Sequence, residues 1–381
     1  MLDIEKSKCC GCYSCFNACP RECITMEKDN HGFYYPKINN TKCIHCGLCE
    51  KACPAIRKRD ERTNDISVYA INSKDNNLRS KSSSGGAFSQ IASWVIDNGG
   101  IVFGASFNSN KYVYHSEISK QKDLENIRGS KYLPSSIDYS FRKVKYHLDN
   151  NRIVLFSGTS CQINGLKCYL QKKYNNLLTV EVVCHGVPSM DVWDEYLNFI
   201  EGKYKSKINK INFRDKRTGW KNYSVTLELD NGRVISNKYY DDLMMRIYLS
   251  DICLRPSCYQ CAFKGMNHDS DITLADFWGV DNYVGEMNDD LGTSLVVLNT
   301  EFGHHVFEAI SNDLVYNKLS IDCLLNNKPY LESATKKDGY ESFFQDLKNL
   351  PFEYLVEKYN KSTFRSKIRR KINAIIKAEI K

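Results

Sequence analysis

The residues most able to do chemistry in this chain are its cysteines, 17 in 381 positions, ten of them within the first 53. Eight of these form one run written twice, Cys9-x2-Cys12-x2-Cys15-x3-Cys19-Pro20 and, 34 residues later, Cys43-x2-Cys46-x2-Cys49-x3-Cys53-Pro54. Three thiolates at x2 spacing on one loop can hold three corners of an iron–sulfur cubane, and the fourth, after x3 and before a turn-forming proline, is directed to the other cluster. The spacing predicts two [4Fe–4S] clusters, one on Cys9, Cys12, Cys15 and Cys53, the other on Cys43, Cys46, Cys49 and Cys19. A pair of zinc ribbons competes with this reading, but each would use two C-x2-C pairs and leave the x3 cysteines and the prolines without a purpose. Cys10 and Cys23 fall off the pattern and read as small buried residues beside the clusters.

The seven later cysteines are more scattered. Cys161 and Cys184 lie in Phe156-Ser157-Gly158-Thr159-Ser160-Cys161-Gln162 and Val183-Cys184-His185-Gly186-Val187-Pro188-Ser189, each passing from a strand-like to a helix-like stretch, the place where α/β folds gather ligands. Cys253-x4-Cys258-x2-Cys261 follows. These five thiols could complete one more metal site, with Cys258 and Cys261 as local clamp and Cys161 and Cys184 arriving from the loops. A third [4Fe–4S] cluster is the sharper reading. Zinc on Cys184, His185, Cys258 and Cys261, or plain buried thiols, are the alternatives. A nucleophilic Cys161 beside His185 lacks an orienting third group. Separately, Ser82-Ser83-Ser84-Gly85-Gly86-Ala87 precedes a helical stretch, and glycines, hydroxyls and a helix N-terminus together suit a phosphate or pyrophosphate. A polar turn with a serine N-cap would look the same. Neither G-x-G-x-x-G nor a Walker loop is present.

The elements that must carry these groups can be read from periodicity. Gly32 to Ile38 alternates like a strand of a hairpin between the two cysteine runs. A charged stretch, Arg57 to Asp65, reads as a linker. Beyond it, Val68–Ile71 is strand-like, Phe88 to Ile96 recurs at helical spacing until Asn98-Gly99-Gly100, and further strands are expected at 101–105, 153–156, 180–183, 208–213, 272–274 and 295–298. A helix is expected over 163–174 and a hairpin around Asp230-Asn231-Gly232. The fold class predicted is α+β: a bacterial-type dicluster ferredoxin fold over 1–57, a linker over 58–67, a mixed-sheet α/β body over 68–340 and a helical basic tail over 341–381. With 42% hydrophobic and 26% charged residues, disorder is excluded. No apolar run approaches a membrane span or a signal peptide, so the expectation is a cytoplasmic protein. Residues 361–381 carry eight basic side chains against one acid, +7 of the net +8, so no general nucleic-acid footprint covers the rest. There Phe364, Ile368, Ile372, Ile375, Ile376 and Ile380 recur at spacings of three and four, an amphipathic basic helix suited to peripheral contact with an anionic membrane or an acidic partner, or to packing on the body.

The succession Ser83-Ser84-Gly85-Gly86-Ala87-Phe88, Gly129-Ser130-Lys131-Tyr132, Gly158-Thr159-Ser160-Cys161-Gln162, Cys184-His185-Gly186-Val187-Pro188-Ser189, Phe213-Arg214-Asp215-Lys216, Cys258-x2-Cys261 and Asp271-Ile272-Thr273-Leu274-Ala275-Asp276-Phe277-Trp278-Gly279 resembles the beta-subunit family of coenzyme F-420 hydrogenases and dehydrogenases over about residues 68 to 330. With the leading dicluster module it is similar to stand-alone members, some of which lie among polysaccharide-biosynthesis genes, and it is related to ferredoxin-dependent hydroxymethyl-chlorophyll reductases. The resemblance implies a flavin-binding body with FAD and a [4Fe–4S] cluster beside it, the flavin joining one-electron clusters to a two-electron substrate. It assigns the third cluster to Cys161, Cys184, Cys258 and Cys261, with Cys253 in reserve. It makes Ser83, Ser84, Gly85 and Gly86, then Gly129, Ser130 and Lys131, then Gly158, Thr159 and Ser160, candidates to hold FAD. The chain departs from the family in Ser160, where a proline commonly precedes the cysteine, and in Ala275, where a glycine is frequent. The implied function is an iron–sulfur flavoprotein oxidoreductase. It would exchange electrons with a redox partner protein or ferredoxin, and with a soluble deazaflavin coenzyme or a polysaccharide-pathway substrate. The alternative is a non-enzymatic electron-transfer subunit docking a partner enzyme.

Overall fold

The computed structural model describes residues 3–57 and 66–361 of the chain. The N-terminal module is built around one antiparallel hairpin, β1 (Ile24–Lys28) and β2 (Tyr34–Ile38). Its turn forms because the Asp29 carboxylate accepts from the backbone N–H of His31 and Phe33, and because Gly32 takes φ 80°, a conformation that costs glycine little. The module's own core is Cys15, Cys19, Cys23 and Ile24, too few apolar groups to fold it alone, so metal and the body must contribute.

The body holds a sheet in the order β14-β3-β13-β12-β8-β7-β4-β5-β6. Its strands are β3 (Ser67–Ser73), β4 (Ile101–Phe107), β5 (Val113–Ile118), β6 (Ser135–Ser136), β7 (Val154–Thr159), β8 (Leu177–Val182), β12 (Ile272–Asp276), β13 (Ser294–Leu298) and β14 (Leu314–Leu319). The central four, β12, β8, β7 and β4, run parallel, and antiparallel pairs flank them, so the sheet is mixed. Parallel strands are covered on both faces, which is why Val154, Leu155 and Phe156 form a continuous buried run and not an alternating one. A separate antiparallel sheet, β11-β10-β9, comprises β9 (Ile208–Asp215), β10 (Ser224–Leu229) and β11 (Val234–Lys238), the last two joined by the turn through Gly232 at φ 81°.

The helix expected over 163–174 is instead Ser160–Leu170. A reciprocal cap between Thr159 and Gln162 starts it earlier, and Gln171, left-handed at φ 56°, ends it. The boundary drawn at residue 340 falls on the first residue of a helix, Tyr340–Leu347, followed by Phe352–Tyr359. Phe343, Phe344, Leu355 and Val356 belong to the same buried cluster as Trp193, Met244, Met245 and Leu254, so the body continues to Tyr359. The basic amphipathic stretch beyond it and most of the linker lie outside the described residues.

The dicluster module is docked on the body by specific contacts. Ser14 Oγ donates to the Gly165 carbonyl at 2.8 Å, and a Cβ on Gly165 would stand 3.0 Å from Cys12 Sγ, so glycine permits this approach. Ser189 Oγ donates to the His31 carbonyl at 2.5 Å, and His31 stacks on Phe344 at 4.3 Å. Among the described residues no helix is long and apolar enough to cross a membrane.

Candidate functional site

Two small cavities in the N-terminal module are lined by cysteines. One is bounded by Cys9, Cys12, Cys15 and Cys53, the other by Cys19, Cys43, Cys46 and Cys49. These are the quartets predicted from the doubled run, each taking its fourth thiol from the other repeat. Burial pushes the Cys15 thiol up to about 12, a cost that thiolate coordination to iron removes. Cys23 lies against the second group, its Sγ 3.3 Å from Cys19 Sγ. Cys10 behaves differently from a bystander: its thiol is hydrogen-bonded to Cys12 on one side and Cys161 on the other, and the Cys12 contact together with burial holds it well above the ordinary thiol range against the opposing pull of Cys161.

The body thiols also gather. Burial, then the neighbouring Cys161 and Cys261, raise Cys184 to about 12, and burial with Cys184, Cys161 and Cys261 raises Cys258 further. Cys161, at the first turn of Ser160–Leu170, is raised by its hydrogen bond to Cys10 and by burial, while Thr159 Oγ1 lies 3.1 Å from its sulfur. The first turn of Ser160–Leu170, the loop after β8, the 3-10 helix Pro256–Gln260 and the residue that caps it thus bring Cys184 and Cys258 within electrostatic reach of each other and of Cys161 and Cys261. Cys253 does not join them; it is fully buried and its thiol is 3.7 Å from the Ile247 carbonyl. His185 is held by Asp251 through a 2.6 Å contact between its Nε2 and Asp251 Oδ1. Among the described residues no three His, Cys, Asp or Glu side chains converge as a single metal ion requires. The N-terminal quartets surround space, as a cubane several ångströms across demands.

Beside these thiols lies a cavity of about 660 Å³, at the C-terminal ends of the parallel strands, the position at which open α/β sheets take ligands. Its wall includes Ser83, Ser84 and Gly86, then Gly129, Ser130 and Lys131, then Gly158 and Thr159. The first two loops are clasped together, because Ser83 Oγ accepts from Ser130 N at 2.7 Å and Ser130 Oγ at 2.9 Å. Gly86 is the left-handed N-cap of the helix Ala87–Asp97, φ 93°, which turns the helix N-terminus with its favourable dipole toward the cavity. Two of the expected residues are elsewhere. Gly85 packs between strands, where a Cβ would stand 2.1 Å from the Ile71 carbonyl oxygen, and Ser160 turns away to donate to Glu181 at 3.1 Å. Lys131 donates only to the Arg128 and Gly129 carbonyls, and burial lowers its ammonium to about 7. A partly buried cation that no carboxylate pairs with among the described residues, beside helix and loop N–H groups, suits a bound diphosphate.

Behind this wall two basic residues fix the loops. Lys216 donates to the carbonyls of Arg79, Ser84 and Leu291, and Arg214, ion-paired to Asp276 at 2.9 Å, reaches the Ser83 carbonyl at 3.2 Å. The cavity's opposite wall comes from the dicluster module, through Cys10, Gly11, Tyr13 and Tyr34, with Cys161 and Arg255 between. Cys10, Arg255 and this shared wall could not be read from the sequence, since no local spacing signals a contact between segments 150 or more residues apart.

Comparison with known proteins agrees with this division. Residues 8–56 match the family model of the 4Fe-4S dicluster domain, and residues 151–322 match that of the coenzyme F420 hydrogenase/dehydrogenase beta subunit, C terminus. No curated protein matches the chain. A solved structure, a xenon derivative of the F420-reducing [NiFe] hydrogenase complex from Methanosarcina barkeri, contains a chain that is 16% identical, aligned over 77% of this chain and 90% of that one with a TM-score of 0.44. The chain is an electron-transfer iron–sulfur protein with a 4Fe-4S dicluster domain at its head, related over residues 151–322 to the beta subunit of coenzyme F420 hydrogenases and dehydrogenases.

Proposed function

We propose that the chain is an iron–sulfur flavoprotein oxidoreductase in which the two N-terminal clusters and a third on Cys161, Cys184, Cys258 and Cys261 exchange electrons with a FAD held in the large cavity. The observation that carries this reading is the shared wall: one cavity is bounded by the dicluster module, by a thiol of the body group and by the phosphate-type loops. FAD, when bound, exchanges a hydride with a substrate and single electrons with clusters. Ser83, Ser84, Gly86, Gly129, Ser130, Lys131, Gly158 and Thr159 would bind it, Lys131 neutralising the diphosphate. The clasp between Ser83 and Ser130 orients the two loops. A redox protein delivers or removes electrons at the dicluster end, where Cys46 is exposed, and a soluble coenzyme of the deazaflavin class or a polysaccharide-pathway substrate meets the flavin.

The test is anaerobic addition of reduced coenzyme F-420 to the reconstituted full-length chain. Bleaching of both flavin and cluster absorbance is expected. A preparation that carries clusters, retains no flavin and is silent toward the coenzyme would favour the alternative of an electron-transfer subunit.

A further inference from the structure

Arg255 is 4% exposed and its guanidinium is threaded from the body into the dicluster module. Its Nε donates to the Cys9 carbonyl at 2.8 Å, and its Nη2 donates to the Tyr34 carbonyl at 2.7 Å and lies 3.9 Å from Cys9 Sγ. The rings of Tyr35 and Phe33 flank it at 4.2 and 5.8 Å. Three residues later the same segment supplies Cys258, and the positive charge lies within electrostatic reach of Cys10, Cys161 and Cys258 as well as Cys9. No carboxylate pairs with it among the described residues. Gly11 is the complement to this placement, since a Cβ there would stand 3.0 Å from the guanidinium carbon. The second N-terminal group has an arginine too, Arg142, which donates to the Cys19 carbonyl at 3.1 Å, but that side chain is 30% exposed and ion-paired to Glu22. Its charge is therefore compensated and screened, while that of Arg255 is neither.

We infer that Arg255 is a positioning residue for electron flow, a fixed buried charge between the Cys9-Cys12-Cys15-Cys53 cluster and the body cluster that raises the reduction potentials of both relative to the outer cluster. Adding an electron to a cluster makes it more negative, and an uncompensated cation in a low-dielectric setting stabilises the reduced form. The two inner clusters then become the favoured resting places for an electron that enters at the exposed end. The body-cluster half of the inference rests on the function proposed above; the Cys9 half does not.

The test is a potentiometric titration of the anaerobically reconstituted full-length chain, followed by electron paramagnetic resonance. Arg255→Met should lower the midpoints of the two inner clusters, changing the reduced-to-oxidised ratio at fixed potential about tenfold, which is ~59 mV for a one-electron couple. The outer cluster should not move, and Arg255→Lys, which keeps the charge, should restore most of the shift. Midpoints that do not change, that fall equally at all clusters, or that fall as far in Arg255→Lys as in Arg255→Met would overturn it. Should Arg255→Met lose iron, Arg255→Gln keeps hydrogen-bonding capacity without charge; iron lost from both neutral variants and kept in Arg255→Lys would make the residue an assembly requirement and overturn the inference. A chain with about eight irons whose Cys9 cluster still shifts refutes the third cluster and leaves the inference standing there.

Discussion

At the scale of single residues the account turns on charge and thiol placement. Lys131 sits in the cavity wall with a proton held weakly, about 7, because burial disfavours the ammonium. A bound diphosphate reverses that penalty, so the pKa of Lys131 is higher with flavin than without, and binding takes up a proton over the interval between the two. Flavin affinity is then greatest at low pH and falls as pH rises above about 7 through the bound-state value. Lys131→Met should retain several-fold less flavin and lose this pH dependence in a fluorescence titration; an unchanged slope would remove Lys131 from the site. Cys10 supplies a second contrast. Lying between Cys12 and Cys161, it makes no fourth corner in either quartet, so Cys10→Ser should keep about twelve irons per chain, whereas Cys161→Ser should lose about four. The doubled cysteine run was legible because cluster ligands are local in sequence. Cys10 and Arg255 were not, since the contact from Arg255 to Cys9 spans 246 residues and neither partner advertises the other.

Among the elements, the strand-to-helix loops were legible from glycine, hydroxyl and cysteine placed at strand ends, while the role of each glycine was not. Gly86 serves the cavity and Gly85 serves the sheet, because only the second is pressed between the Ile71 carbonyl and the Ser294 N–H. Gly85→Val should accordingly strike the fold of the body and flavin together. The helical character of the C-terminal segment was legible, but not that its first two helices belong to the body, because only packing separates them from the basic stretch. Phe343, fully buried in the body cluster, gives the check. Phe343→Ala should destabilise the chain by about 3 kcal/mol, read as a clear drop in Tm, whereas a side chain on a solvated tail helix would cost under about 0.5 kcal/mol. Docking of the dicluster module is testable at Gly165. Gly165→Val must push Cys12 away at a cost of ~1–3 kcal/mol, and amide hydrogen exchange at the module's contacts with the body should accelerate while the body stays folded.

For the whole molecule, the dicluster module, the body thiols and the large cavity form one continuous arrangement, so redox groups and ligand space are brought together by folding and not by proximity in sequence. The fold class was legible from the alternation of strand and helix patterns, because buried parallel strands write themselves as short apolar runs. The module's seat on the body had no such signature. The charged end, residues 361–381, predicts a salt-sensitive attraction to anionic vesicles of about 1 kcal/mol per basic residue near the surface. Sedimentation should lose that partitioning when the segment is deleted, and equal partitioning of both forms would contradict it. The most direct measurement of the central claim is the cofactor stoichiometry of the anaerobically reconstituted full-length chain, by iron, zinc and flavin analysis with an ultraviolet–visible spectrum. About twelve irons and about one FAD per chain are predicted; zinc in place of iron, or about eight irons without flavin, would contradict the account.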